Sequence, residues 1–338
     1  MPDPYCDSLP GFLRKGRALI RELRPDALIS IAYPWTAHLA AAILARWSRT
    51  PWIAEYGDPW TGNPASGVKI PRWRKFVDQA IERLAVRSAA VVVVTTDATK
   101  RHYLGQFPCL KDKIEVIRIG YQPLPPTDRG PAGAPRRDCE KLIHILHAGR
   151  VYRGARSPEE LLKALQRLQA DFPDLESRLL VTLVGEVDDL TREQVVRWNL
   201  NGVVRLLGWK TRAELSSDLQ RTDLLLLLAN RGGMQVPSKL YEYLGAGRPI
   251  LALFQPSDDE AAGIVRKCDA GWTVHDDADS IYAFLRSLLD SGMAGVRFER
   301  RGVSEYTAEF QLKRYGELVR DMGRWVGCEP AGVHESTR

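Results

Sequence analysis

A lysine and a glutamate stand three residues apart at the start of a short helical pattern. Lys239 and Glu242 lie in the segment PSKLYEYLGAGRPILALF, residues 237–254, which leads into an apolar run. Residues three apart share one face of a helix, and the free N–H groups and the dipole at a helix N-terminus attract an anion. The pattern therefore predicts that Lys239 faces a phosphate and that Glu242 accepts hydrogen bonds from the hydroxyls of a ribose.

The residues that precede this pair favour a ligand site. The apolar run Leu224–Ala229 predicts a buried strand, and a loop with two glycines joins it to the helix. Ligands of doubly wound sheets bind where the strands end, and Ser238 is predicted as the N-cap of the helix. The alternative is a solvated Lys–Glu pair on a helix surface, which is common at this spacing. We favour two ends of one ligand contact over such an ion pair.

Composition limits the class of protein. The chain has 338 residues, is 44% hydrophobic and carries a net charge of +6. This size predicts two domains. The positive charge suits an anionic ligand or an anionic membrane surface and is too mild to indicate nucleic acid.

The spacing of the cysteines and histidines argues against a disulfide-bonded or metal-binding protein. The five cysteines are dispersed without a CxxC pair, and the histidines show no metal-ligand spacing. Such cysteines are typical of a reduced, intracellular protein, and no apolar run reaches the ~20 residues of a membrane span. We expect a cytoplasmic protein without a bound metal, and peripheral contact with the inner face of the membrane stays open.

Short apolar runs alternate with helical patterns along the chain. This alternation is typical of parallel sheets covered on both faces. We predict an α/β protein of two Rossmann-like doubly wound domains, the first of them incomplete. The predicted parts are a first domain (1–122), a linker rich in proline and glycine (123–138), a second domain (139–304), an amphipathic helix (305–326) and a flexible tail (327–338).

The run PSKLYEYLGAGRPILAL resembles the donor-site segment of glycosyltransferases of the two-Rossmann GT-B fold, most closely family 4. Three further segments resemble that family in the same order, namely PWIAEYGDPW (51–60), VIRIGYQP (116–123) and HAGRVYRGARSPEELLKAL (147–165). The resemblance covers the chain from about Pro25 to the final helix. It implies transfer of a sugar from a nucleoside-diphosphate sugar to an acceptor hydroxyl, with retention and without a cofactor or metal. The implied role is assembly of a cell-surface polysaccharide or glycolipid, with a glycan or lipid-linked acceptor.

The resemblance also implies donor-binding residues. Arg150 matches the family arginine that contacts the diphosphate, and Arg156 stands near the place of a family lysine. Glu242 matches the second glutamate of a Glu-x7-Glu motif and would hold the ribose. The first glutamate of that motif corresponds to Met234, so recognition of the sugar differs here. The other implied donor-binding residues are Gly149, Gly185, Glu186, Trp209, Gly233, Ser238 and Leu240.

Catalysis in this family needs charge stabilisation. Negative charge builds on the departing nucleoside diphosphate, and fixed cations stabilise it without a metal. Arg150, Arg156 and Lys239 are the implied cations, together with the helix start at Ser238. In the first domain, Asp58 would position or deprotonate the acceptor hydroxyl; the alternative is an aspartate that caps the turn before Pro59.

The first domain is predicted to be short. About three strands precede the linker, against about six in a complete doubly wound domain, and the Gly-rich loop that opens the family's first domain is absent. We expect a truncated chain, a start assigned too far downstream or a reduced homologue. A shortened sheet leaves an unpaired edge and exposed apolar surface, so reduced solubility or self-association is expected.

Two other functions stay open at the level of sequence. A non-catalytic nucleotide-sugar-binding or accessory protein would bind the donor without transfer. A non-hydrolysing sugar-nucleotide epimerase would share the fold, but its acidic and histidine cleft residues are not evident in the sequence.

Overall fold

The computed structural model describes residues 3–62, 71–124, 142–151, 156–228, 234–255, 259–293 and 296–325. Contacts divide the chain into two units. The first comprises Met1–Arg118 with Gln311–Arg338, and the second comprises Ile119–Phe310. Most of the predicted linker, the predicted tail and Gly233 lie outside the described residues.

The first unit contains a four-stranded parallel sheet in the order β1-β2-β3-β4. Its strands are β1 (Leu28–Ala32), β2 (Trp52–Tyr56), β3 (Val91–Val94) and β4 (Ile114–Val116). Helices α1 (Leu9–Leu23), α2 (Thr36–Ser48), α3 (Arg72–Ser88) and α4 (Asp97–Gln106) precede or connect them. Every valine of β3 is buried, as expected for a strand covered on both faces.

Helix α4 was not predicted from the sequence. Its segment, DATKRHYLGQ, has few apolar residues and no clear helical period. The helix begins where the Thr96 side chain accepts a hydrogen bond from the Thr99 N–H, and Tyr103 anchors it in the core. A cap and one buried aromatic ring replace the periodic apolar face that sequence reasoning depends on.

The second unit contains a six-stranded parallel sheet in the order β10-β9-β8-β5-β6-β7. Its strands are β5 (Ile143–Ala148), β6 (Leu179–Val184), β7 (Val204–Leu207), β8 (Leu224–Leu228), β9 (Ile250–Phe254) and β10 (Gly271–His275). Its helices are α5 (Glu159–Asp171), α6 (Leu175–Arg178), α7 (Asp189–Arg197), α8 (Arg212–Arg221), α9 (Ser238–Ala246), α10 (Glu260–Lys267) and α11 (Ala278–Ser291).

The leucines of β8 show how this sheet is covered. Leu224, Leu226 and Leu228 pack with residues of α5 and α11, whereas Leu225 and Leu227 pack with residues of α9 and α10. Helices therefore cover both faces of the sheet. The predicted α/β class, with a Rossmann-like doubly wound second half, is confirmed.

A last helix, α12 (Ala308–Trp325), belongs from Gln311 onward to the first unit. The Gln311 side chain accepts a hydrogen bond of 2.9 Å from the Arg118 N–H. Met322 packs with Ile53 of β2 and with Val91 and Val93 of β3. The helix that the sequence places after the second domain thus covers a face of the first sheet, a long-range contact that local patterns do not reveal.

Replacing Met322 by alanine tests this packing. Met322 is 2% exposed, so we expect the substitution to lower the unfolding free energy of the first unit by about 2–5 kcal/mol. Leu312→Ala is the matched control on the same helix, because Leu312 is 68% exposed. Urea unfolding measures the stability of both variants, and hydrogen exchange of the β2 and β3 amides measures how well these strands are protected. Equal, small effects would contradict the docking of α12 on this sheet.

β1 forms one edge of the first sheet, since it pairs only with β2 among the described strands. Ile29 and Ile31, on one face of β1, are about half exposed. The structure describes four strands in this sheet, against the predicted number of about three. The expected self-association through this edge stays a prediction.

Candidate functional site

The strand order of the second unit reverses at β5. From β5 the chain proceeds through β6 and β7 on one side, and through β8, β9 and β10 on the other. Such a reversal leaves a crevice at the carboxyl ends of the two central strands, where doubly wound proteins bind ligands. The residues after β5 begin at Gly149, and the helix after β8 begins at Ser238. The predicted donor residues that follow β5 and β8, such as Gly149 and Ser238, therefore lie on both sides of this crevice.

The loops after β5 and β6 are held against each other by backbone bonds. The Gly149 N–H donates to the Val184 carbonyl at 2.8 Å, and the Val151 N–H donates to the Glu186 carbonyl at 2.8 Å. Gly185 has a φ of +122°, and a Cβ placed on it would lie 2.6 Å from the Gly149 carbonyl oxygen. Only glycine fits this position, because both the backbone conformation and the space exclude a side chain.

We expect Gly185→Ala to lower the unfolding free energy by roughly 2 kcal/mol or more, since the positive φ alone costs about 1–3 kcal/mol. The control is Gly208→Ala, where a Cβ would have no neighbour within 4 Å. Thermal or urea unfolding compares the two variants. A Gly185→Ala protein as stable as Gly208→Ala would show that the two loops can separate freely.

Two ion pairs lie at the crevice. Arg150 Nε is 2.8 Å from Glu186 Oε2, and Lys239 Nζ is 2.9 and 3.1 Å from the two carboxylate oxygens of Glu242. The prediction preferred a ligand contact to a Lys239–Glu242 pair, whereas the structure shows that pair. Partly exposed pairs of this kind contribute little to stability, so a more highly charged ligand can compete for the cations.

The start of α9 differs from the sequence prediction. Pro237, not Ser238, is the N-cap, and no side chain caps the helix. Ser238 is the first helical residue and is exposed. Leu240, predicted to bind the donor, is fully buried in the core, and its N–H donates to the Pro237 carbonyl at 2.9 Å. Neither group is offered to a ligand, because the side chain packs in the core and the N–H is bonded to the Pro237 carbonyl.

His147, near the end of β5, is the residue that sequence reasoning missed. Its Nδ1 lies 2.9 Å from the Leu226 carbonyl oxygen, which can only accept, so Nδ1 carries the proton and Nε2 carries a lone pair. Nε2 is buried without a hydrogen-bond partner among the described residues. A Cβ placed on Gly149 would lie 3.4 Å from His147 Nε2 and 4.0 Å from Lys239 Cγ. The space beside Gly149 is thus bordered by an acceptor nitrogen and by the lysine.

The environment keeps His147 neutral. The pKa of His147 falls from 6.5 to about 4, mainly because the ring is buried and also because of the positive charges of Arg156 and Lys239, while the hydrogen bond to Leu226 acts in the opposite direction. The available signal in the sequence is a polar residue in the apolar strand IHILHA, immediately before Gly-Arg. That signal suggests a buried polar side chain but not where the side chain points.

The lowered pKa makes stability depend on pH. The unfolded imidazole takes up a proton below about pH 6.5 while the folded one stays neutral down to about pH 4, so the stabilisation is present above 6.5 and is lost as the pH falls through this window. We expect the loss of unfolding free energy between pH 7 and pH 4.5 to be smaller by roughly 2 kcal/mol in His147→Phe than in wild type. Urea titrations at the two pH values measure it, with His275→Phe, at an exposed site, as control. An identical loss in wild type and His147→Phe would contradict a buried neutral imidazole.

Tyr243 fixes α9 to the end of β5. Its Oη accepts a hydrogen bond of 2.8 Å from the Ala148 N–H, and the ring is fully buried. The charges of Glu242 and Arg156 both act on this phenol, so Arg156 lies near the end of β5. Trp209 lies after β7, two strands away from β5, and is 71% exposed.

Asp58 lies in the first unit, in an ordered loop after β2, and is exposed. The loop is anchored by the Thr95 hydroxyl, which donates to the Gly57 carbonyl at 3.0 Å. It is also anchored at Thr61, whose hydroxyl donates to the buried carboxylate of Glu82. Burial raises the pKa of Glu82. These bonds hold the segment that carries Asp58 at the carboxyl edge of the first sheet.

Within the described ranges, no three or more His, Cys, Asp or Glu side chains come together as they would around a metal ion. No helix in the described part of the chain is both long and apolar enough to cross a bilayer.

Known proteins match the two halves of the chain in tandem. Residues 4–120 match the family described as "Glycosyl transferase 4-like domain", and residues 143–291 match the family described as "Glycosyl transferases group 1". The sucrose-phosphate synthase of Thermosynechococcus elongatus has a similar structure, with a TM-score of 0.66 at 16% identity over 95% of this chain and 80% of that one.

Two curated relatives are similar over part of the chain. The D-inositol 3-phosphate glycosyltransferase of Nocardioides sp. is 31% identical over 106 residues, which are 31% of this chain and 23% of the relative. The phosphatidyl-myo-inositol mannosyltransferase of Mycolicibacterium smegmatis is 30% identical over 201 residues, which are 57% of this chain and 50% of the relative. The chain thus spans half or less of the length of these relatives.

Two parallel-sheet α/β units with this structural likeness define a protein of the GT-B fold. The two matched families follow one another along most of the sequence. The chain therefore belongs to the glycosyltransferases, with a 4-like first half and a group 1 second half, and the predicted family resemblance is confirmed.

Proposed function

We propose that this protein transfers a sugar from a nucleoside-diphosphate sugar to an acceptor hydroxyl. The observation that carries the proposal is the crevice between β5 and β8, where the start of α9, Lys239, Arg150 and the acceptor nitrogen of His147 meet beside Gly149. Membership of the glycosyltransferases supports the reaction class.

The diphosphate would lie at the start of α9. There the backbone N–H groups and the helix dipole favour an anion. Lys239 adds a positive charge, which the dipole disfavours in the absence of a bound anion. Arg150 and Arg156 are the other proposed cations. Because they act on charge that grows as the diphosphate leaves, they would accelerate the transfer step itself, and we propose that it proceeds with retention and without a metal.

The nucleoside and sugar would extend from the diphosphate in two directions. Glu242, released from Lys239 when phosphate takes the lysine, is proposed to accept hydrogen bonds from the ribose. The exposed ring of Trp209 offers an apolar surface for the base. His147 Nε2 is proposed to accept a hydrogen bond from a hydroxyl of the donor, which would satisfy its buried lone pair and supply a contact where Met234 replaces a family glutamate.

The acceptor would be bound by the first unit, where Asp58 is proposed to orient or deprotonate its hydroxyl. The names of the two curated relatives, one an inositol 3-phosphate glycosyltransferase and one a phosphatidyl-inositol mannosyltransferase, support a polyhydroxylated or lipid-linked acceptor. We propose a place in cell-surface polysaccharide or glycolipid assembly, on the cytoplasmic side of the membrane.

Calorimetry with UDP, GDP and inorganic pyrophosphate tests the donor site. We expect one of the two nucleotides to bind, and Glu242→Ala to weaken that nucleotide about tenfold or more, since a hydrogen bond to a charged group contributes about 1.5–3 kcal/mol. Pyrophosphate has no ribose, so the same variant should bind it as well as wild type does or more tightly, because Lys239 loses its partner. Lys239→Met should weaken both ligands.

Glu193→Ala, at an exposed glutamate of α7, is the control and should bind as wild type. Failure of both nucleotides to bind wild type would overturn the donor site, and so would unchanged nucleotide binding by Glu242→Ala. Nucleotide binding without transfer or donor hydrolysis, across a panel of nucleotide sugars and glycan or lipid-linked acceptors, would instead identify a non-catalytic binding protein.

A further inference from the structure

Helix α3 carries an apolar stripe on its exposed face. Trp73, Phe76, Val77 and Leu84 are 68%, 74%, 37% and 66% exposed, and with the exposed Ala80 they follow the spacing i, i+3, i+4, i+7, i+11. Such spacing normally marks the face that a helix buries. Here α3 buries its other side, with Ala85 and Val86 in the core of the first unit.

The charged side chains of α3 are also divided between its buried and its exposed side. Both acidic side chains, Asp78 and Glu82, are buried, whereas Arg72, Arg83 and Arg87 are exposed. The exposed face of the helix therefore offers aromatic and aliphatic side chains beside positive charges, without an exposed acid. Partly exposed Trp and Phe beside Arg are typical of helices that lie in the interface of an anionic bilayer.

Two further helices are linked to α3 by packing, α2 directly and α1 through α2. α1 packs against α2 so closely that a Cβ on Gly16 would collide with Leu44, and α2 packs against α3. α1 exposes Phe12, Leu19 and Leu23. Together α1, α2 and α3 contain ten lysines and arginines against three acids, two of which are the buried acids of α3. The positive charge of the chain is thus concentrated in this layer of helices.

We propose that the layer formed by α1, α2 and α3, centred on the α3 stripe, docks the protein on an anionic lipid bilayer. Charge complementarity favours an anionic bilayer as the partner of this positively charged surface. A second copy of the same face would bring like charges together, which opposes a symmetric dimer there. The proposal concerns only the first unit and stands independently of the donor chemistry proposed for the second.

Sedimentation of the full chain with vesicles tests the proposal. Wild type should bind vesicles of equal parts phosphatidylcholine and phosphatidylglycerol at least about tenfold more tightly than pure phosphatidylcholine, and added salt should weaken the binding. Phe76→Gln with Leu84→Gln should reduce binding about tenfold or more, and Arg72→Glu with Arg83→Glu should abolish the preference for anionic lipid.

The controls replace the same number of exposed apolar side chains, or reverse the same number of charges, elsewhere in the chain. Val196→Gln with Leu312→Gln replaces two exposed apolar residues, and Arg197→Glu with Arg205→Glu reverses two exposed charges. Both double variants should bind as wild type, and circular dichroism establishes that each variant is folded.

Three results would overturn the proposal: no binding of wild type to anionic vesicles, equal binding of the α3 variants and their controls, or a wild-type oligomer that α3 variants dissociate without any lipid binding. The last result would assign the face to a protein interface. Nucleotide calorimetry on the same variants should be unchanged, so failure of vesicle binding and failure of the donor site are distinguishable.

Discussion

The parallel pairing of β5 with β6 on one side and β8 on the other is the constraint on which the candidate site depends. Because the strand order reverses there, the connections leave the sheet towards opposite faces and a crevice remains between them. The close approach of the β5 and β6 loops at Gly185 fixes one wall. The hydrogen bond from the Ala148 N–H to Tyr243 fixes the other, since it ties α9 to the end of β5.

In the crevice, a buried histidine lies close to partly exposed cations. His147 stays neutral because burial and the nearby positive charges oppose protonation, so its Nε2 remains an acceptor in surroundings otherwise arranged for an anion. Arg150 and Lys239 are each paired with a carboxylate. Ligand binding would therefore exchange weak, partly exposed ion pairs for stronger contacts with phosphate, while the buried lone pair acquires a donor.

The first unit buries one part of its apolar surface and leaves another part exposed to solvent. α12 returns from the C-terminal part of the chain to cover one face of its sheet, while α3 buries its acids and leaves Trp73 and Phe76 in solvent. A helix normally buries its largest apolar residues because their removal from water is favourable. An exposed stripe flanked by arginines is therefore the feature of this unit that points to an interaction with an anionic surface.

The sequence by itself determined the alternation of elements and the α/β class, and it predicted a candidate site after β5 and before α9. The strand Leu224–Leu228 lies within the predicted run Leu224–Ala229, because a continuous apolar run is a local signal. Only the tertiary structure decided that Lys239 pairs with Glu242, that Leu240 serves the core, that His147 borders the crevice and that α12 joins the first unit. The last three outcomes depend on contacts between residues distant in the chain or on which face of an element is covered, and periodicity does not specify either. The Lys239–Glu242 pair was one of two alternatives that the helical spacing left open.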